Sequence, residues 1–267
     1  MGLQRLVMGS LFVGSLAAGS IAYHLFRVQQ LEEELQRNQS GNIVNAEVIG
    51  KSPLDSMANS LPENIARDEA FIMVYVDEIG GKSYKLPVST QEYFRFKQKP
   101  HRRKYQTDLV NWVTYYNQTI KTYAEFMTKD AKSLEEKAQL LLDFVHRTHV
   151  YDNSIEKDRD YVRYPIETMV ERNGDCEDAA ILAAALMKSI GIEVALLYFP
   201  PLEGENGGHV ALGVYGNFKG DFYHFDGKEY FYAEAAEADW LQTHFQRKIG
   251  EMPSNFKTRT AEIHVVK

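Results

Sequence analysis

Asn173-Gly174-Asp175-Cys176-Glu177-Asp178-Ala179-Ala180 holds the only cysteine in 267 residues and sets it where a loop becomes a helix. Asp175 is placed to cap that helix, and Asp178, three residues on, returns the bond as a short-chain capping box. From Ala179 to Ile190 the side chains are apolar nearly all round, the pattern of a helix buried on every side. Cys176 then falls in the first turn, where unpaired N–H groups and the positive end of the helix dipole favour the thiolate, the attacking form of the residue. The acids at 175, 177 and 178 work against it. A lone cysteine among apolar residues is otherwise an inert core residue, so reading it as a nucleophile requires a base from elsewhere in the chain.

Downstream, Gly191 ends the helix, and Glu193 to Phe199 is a buried-strand run stopped by Pro200-Pro201. His209 to Tyr215 is the next strand, with His209 as its first residue. Phe222 to Asp226 and Glu229 to Ala233, joined at Asp226-Gly227, predict a hairpin. These short connections argue an α+β fold in which the cysteine helix packs on an antiparallel sheet.

Upstream, Ala70 to Asp77 and Lys82 to Val88 flank Gly80-Gly81 as a second hairpin, with Pro87 marking its end. The basic cluster Lys97, Lys99, His101, Arg102, Arg103 and Lys104 reads as a solvated loop, because the aromatics Tyr93, Phe94 and Phe96 precede it and do not interleave with it. Asp108 to Thr128 carries apolar residues at helical spacing and predicts one amphipathic helix. Ser133 and Glu136 form a capping box that opens a helix running to about His149. His146 and His149 lie three apart on it. No third ligand of zinc-like spacing accompanies them, so structural or surface roles are expected. Asp152 to Tyr164 is a polar loop leading towards the cysteine.

Of eight histidines, His209 suits the base, since its strand is expected beside the cysteine helix and Gly207-Gly208 leave room above its ring. Tyr230, Tyr232 and Glu234 share one strand face, which makes Glu234 a candidate to orient the imidazole; Asp226 in the hairpin turn is the alternative.

The span from Leu134 to Trp240 resembles the transglutaminase-like superfamily of papain-type cysteine enzymes. The resemblance rests on Glu136-Lys137-Ala138 through Phe144-Val145-His146-Arg147, Pro165-Ile166-Glu167-Thr168, Gly174-Asp175-Cys176-Glu177-Asp178-Ala179-Ala180, Gly191-Ile192, Gly208-His209-Val210 and Tyr230-Phe231-Tyr232-Ala233-Glu234. It implies Cys176 as nucleophile, His209 as general base and then acid, and the acid at 234 as orienter, where the usual residue is Asp and this chain has Glu. The Cys-Glu-Asp run looks most like bacterial transglutaminase-like cysteine peptidases of the cell envelope. That likeness implies a protein or peptide substrate cleaved through a thioester, with acyl transfer and an inactive binding module as the other possibilities. Several such enzymes bind calcium, for which Asp175, Glu177 and Asp178 are candidates by analogy; helix capping accounts for Asp175 and Asp178 equally well, and otherwise no cofactor is expected.

Leu6 to Phe26 carries no charge across 21 residues between Arg5 and Arg27, long enough for the roughly 30 Å hydrocarbon core of a bilayer. A single membrane span is expected, with the globular part outside the cytoplasm; a signal peptide cleaved near Leu16 to Ser20 is the rival. Gln29 to Arg37 reads as a helical stalk and Asn38 to Ser60 as linker. The division is then 1–27 anchor, 28–60 stalk and linker, 61–130 hairpin and helix region, 131–253 catalytic core and 254–267 tail. A net charge of −7 with interspersed signs argues against nucleic acid as a partner.

Overall fold

A computed structural model of the protein describes residues 47–49, 71–152, 161–204, 207–236 and 247–267. The expected span over Leu6 to Phe26 and the stalk over Gln29 to Arg37 lie outside these residues. Among those described, no helix is long and apolar enough to cross a membrane.

Two antiparallel sheets flank a group of helices. The first has the order β1 (Glu47–Ile49), β2 (Phe71–Ile79) and β3 (Lys82–Ser89). β1 pairs Val48 with Ile72, so this stretch of the expected linker is a strand that belongs to the domain. Pro87 does not end the hairpin but sits inside β3 opposite Met73. It is tolerated because β3 is an edge strand, and its carbonyl accepts the hydroxyl of Tyr123.

Next come α1 (Thr90–Lys97), a 3₁₀ turn (Gln106–Trp112), α2 (Gln118–Thr128) and α3 (Leu134–Thr148). The single helix expected over Asp108 to Thr128 is therefore two pieces. Asn117 breaks it: its side chain accepts the N–H of Ile120 as the N-cap of α2, a bond that competes with helical continuation. α3 starts as its sequence predicts, with Ser133 accepting the N–H of Glu136. β4 (Val150–Tyr151) pairs in parallel with β5 (Asn173–Gly174). Between them α4 (Pro165–Glu171) begins where the segment read as a polar loop ends, with proline at its first position.

The cysteine helix α5 (Cys176–Ser189) follows, and its side chains from Cys176 to Met187 are all buried. It is enclosed by α2, α3 and α4 and by the second sheet. That sheet has the order β10-β6-β7-β9-β8, from β6 (Val194–Phe199), β7 (His209–Tyr215), β8 (Phe222–Phe225), β9 (Lys228–Ala233) and β10 (Glu262–Val265). All its pairings are antiparallel. β10 falls in what reads as a tail, yet it completes the sheet against β6, and Phe256 is fully buried. Residues Ala46 to Lys267 make one compact unit.

A buried ion pair fixes the start of α5. Asp178 accepts the backbone N–H of Arg163 at 2.7 Å and its Nη1 at 2.9 Å, while Arg163 Nε donates to Glu171 at 2.8 Å. Glu171 also receives Lys97 Nζ at 2.6 Å. The basic cluster is thus a solvated loop only in part, with Arg102 and Lys104 exposed. Lys97 and Arg103 are paired inward, the latter with Glu177, and His101 stacks on Tyr161 with centroids 4.3 Å apart. Their acidic partners come from α4 and α5, 74 residues away in sequence for Lys97 and Glu171.

Gly174 leaves the space that Asp178 occupies, since a Cβ there would meet Asp178 Oδ2 at 2.5 Å. Removing one partner of a buried pair leaves the other charge uncompensated. Asp178→Ala is therefore expected to lower the unfolding free energy by about 3–5 kcal/mol. Ser133→Ala, which loses only an exposed cap, should cost about 1 kcal/mol. Urea denaturation of both variants checks the difference.

Candidate active site

Cys176 occupies the first position of α5, capped as its sequence predicts. Asp175 accepts the N–H groups of Glu177 at 3.0 Å and Asp178 at 3.3 Å, and its own N–H reaches Asp178 Oδ2 at 3.4 Å. The cap takes up those two N–H groups and not that of Cys176. The nucleophile candidate is 7% exposed, against 2% for His209 and 1% for Glu234, so the three sit below the surface.

Helix position does not lower the thiol's pKa here. Burial pushes it well up, Asp175 and Glu177 push the same way, and the N–H of Val210, aimed at the sulfur, opposes them only in part. The expected gain from the helix dipole is therefore outweighed. In such surroundings a thiolate forms only if a positive charge forms beside it. The sulfur thus lies near Val210, the residue that follows His209 in β7.

His209 is the first residue of β7, opposite Phe199 in β6. Its ring is clamped by Phe199, centroids 6.2 Å apart, and Phe256, centroids 4.9 Å apart. What a side chain at Gly208 would strike is Tyr198 and the carbonyl of Phe199, so that glycine makes room for β6 and not for the imidazole. Nε2 of His209 lies 2.9 Å from Glu234 Oε2. An ionised carboxylate only accepts, so Nε2 carries the proton and Nδ1 is the ring nitrogen suited to take one from a thiol. Tyr232 donates its hydroxyl to the same Oε2, and Ala236 N–H donates to Oε1 at 3.2 Å. Asp226, the alternative orienter, is exposed at the β8–β9 turn with a φ of 49°.

The two α3 histidines are both buried. His146 Nε2 donates to the backbone carbonyl of Glu234 at 2.6 Å. His149, which sequence leaves as structural or surface, is interior, and burial followed by the charge of Arg163 lowers its pKa to about 3. No group of three or more histidine, cysteine or acidic side chains among the described residues could hold a metal ion. Of the acids at the α5 start, Asp175 Oδ1 accepts helix N–H groups, Glu177 Oε1 pairs with Arg103 and Asp178 pairs with Arg163.

A family model described as the transglutaminase-like superfamily matches residues 121–227, a span that includes Cys176 and His209 and ends before Glu234. No functionally curated protein matches the chain. Four solved chains do. One is a candidate protease from Parabacteroides distasonis, 16% identical with a TM-score of 0.35, the overlap covering 62% of this chain and 36% of that one. Another is a candidate cysteine protease from Cytophaga hutchinsonii, 15% identical with a TM-score of 0.35, covering 63% of this chain and 59% of that one. The chain thus spans less than two thirds of the length of either.

The buried His149 makes stability depend on pH. Its folded pKa lies below the unfolded value, so between about 6.5 and about 3 the unfolded chain binds a proton that the folded chain refuses. Stability from this group is complete above about 6.5 and falls with pH by up to about 1.4 kcal/mol per unit. His149→Gln should flatten that slope between pH 7 and 5, read from urea midpoints at each pH.

Proposed function

We propose, from the premise that residues 121–227 are a transglutaminase-like domain, that the protein is a cysteine hydrolase acting on an amide bond of a protein or peptide. The observation that carries this reading is the bond between His209 Nε2 and Glu234, with the sulfur of Cys176 near Val210, the residue after His209. His209 Nδ1 takes the thiol proton as the sulfur attacks the carbonyl carbon. The imidazolium that forms supplies the positive charge a buried thiolate needs, and Glu234 stabilises it. The oxyanion meets the N–H of Cys176 at the α5 terminus. His209 then gives its proton to the leaving amine, the C–N bond breaks and a thioester remains. Water, deprotonated by His209, attacks the thioester, and the thiol returns as the acid product leaves.

Glu234 is one methylene longer than the aspartate usual in the family. Tyr232 and Ala236 N–H hold the longer side chain in place. Leu6 to Phe26 would tether this domain to a membrane, with the substrate on the extracytoplasmic side; the reading rests on the uncharged length of that segment.

A second reading is a binding module that keeps the fold without turnover. The burial of Cys176 and the acids around it favour it. Alkylation of Cys176 by iodoacetamide separates the two. For the hydrolase, the alkylation rate stays high well below pH 8, and His209→Ala moves its midpoint above the free-thiol value of about 8.5. For the module, the wild-type midpoint already lies there and His209→Ala leaves it unmoved. Comparing envelope proteins from cells carrying the wild type or Cys176→Ala would then reveal the substrate as a fragment, or a crosslink, that appears only with the thiol.

A further inference from the structure

We infer that His146 is a positioning residue for the site, acting through the backbone of Glu234; the inference rests on the hydrolase reading above. Glu234 lies just past the β-ladder. The last register pair of β9 is Ala233 with Leu212, so the sheet does not fix the peptide group that follows. Yet the direction of the Glu234 side chain, and hence the aim of Oε2 at His209, is set by the backbone at that residue. His146 supplies the missing restraint. From the last turn of α3 its Nε2 reaches the Glu234 carbonyl at 2.6 Å. A carbonyl only accepts, so Nε2 must carry the proton, which excludes the Nδ1–H tautomer.

The surroundings of His146 keep it neutral. Burial disfavours a charge on it, and Arg147 on its own helix and His149 at the helix end act the same way; the bond to the Glu234 carbonyl, Asp143 and the Glu234 carboxylate oppose them and are outweighed. A neutral donor adds no field that would compete with Glu234 for the proton on His209. Tyr232 grips the carboxylate and His146 grips the carbonyl, so the acid is held at both ends. The three-residue spacing of His146 and His149 thus reflects packing of one helix end, with only the first histidine directed at the site.

The test is the pH profile of Cys176 alkylation in the full chain, with folding checked by circular dichroism. His146→Leu removes the donor and His146→Phe removes it while keeping a ring; His146→Gln keeps an N–H near the position of Nε2. Loss of the donor should raise the apparent pKa of the thiol and slow alkylation at pH 6 about tenfold or more, since a misplacement of about 1 Å costs about 100-fold. His146→Gln should restore the wild-type profile. In a Glu234→Gln background the His146 substitutions should have no further effect, because their route is gone.

An unchanged profile in a folded His146→Leu or His146→Phe variant overturns the inference, as does a His146→Gln profile that follows theirs. If both donor-removing variants unfold while His146→Gln folds with a wild-type profile, His146→Asn, whose shorter amide falls short of the carbonyl, takes their place, and an unchanged profile in it overturns the inference. A wild-type thiol that itself titrates near the free value defeats the hydrolase reading first, and so is distinguished from failure of the positioning role alone.

Discussion

A helix buried on all sides can keep carboxylates in its first turn only if a cation is buried with them, and the Arg163–Asp178 pair meets that requirement. Asp178 has no exposure, and Arg163 approaches it with both backbone and guanidinium. The same arginine reaches Glu171, which Lys97 also holds, so α1, α4, α5 and the segment before α4 share one charge network. Breaking such a pair costs far more than forming it gains, which makes it a device for register more than for net stability. Its location fixes the entry angle of α5 and thereby the position of the thiol at the helix start.

Around that fixed sulfur the remaining groups form a graded shell. Val210 N–H acts on the sulfur, His209 opens the same strand, Glu234 bonds the imidazole, and Tyr232, Ala236 and His146 bond Glu234. The acids that cap α5 raise the thiol's pKa, so the helix start and the chemistry make opposing demands on the same residues. In the hydrolase proposed above, an imidazolium at His209 would offset them, because that charge exists only when the thiolate does.

Much of this was legible from the chain because it depends on local rules. Asp175 and Asp178 announce the cap, Ser133 and Glu136 announce α3, and turns at Gly80-Gly81 and Asp226-Gly227 announce the hairpins. The shared face of Tyr232 and Glu234 follows from strand periodicity. What escaped is decided by distant partners. β1 and β10 are short segments whose strand character comes from β2 and β6, not from their own composition. The basic residues from Lys97 to Lys104 look solvated until Glu167, Glu171 and Glu177 are folded against them. Asn117 interrupts an aromatic periodicity that continues unbroken through it, because a side-chain cap does not alter hydrophobic spacing. His146 and Phe256 join the site only through tertiary contact, and no local signal marks either.

The proline within β3 bears on how copies of the protein coexist at high local density. An open strand edge is a template on which a second chain can add itself, and from there growth into ordered aggregates proceeds. At Pro87 an incoming strand would find no N–H to accept from, and a carbonyl already engaged by Tyr123. One position thereby interrupts the ladder that templating needs, so the sheet remains closed to recruitment along that side without a further strand to cover it.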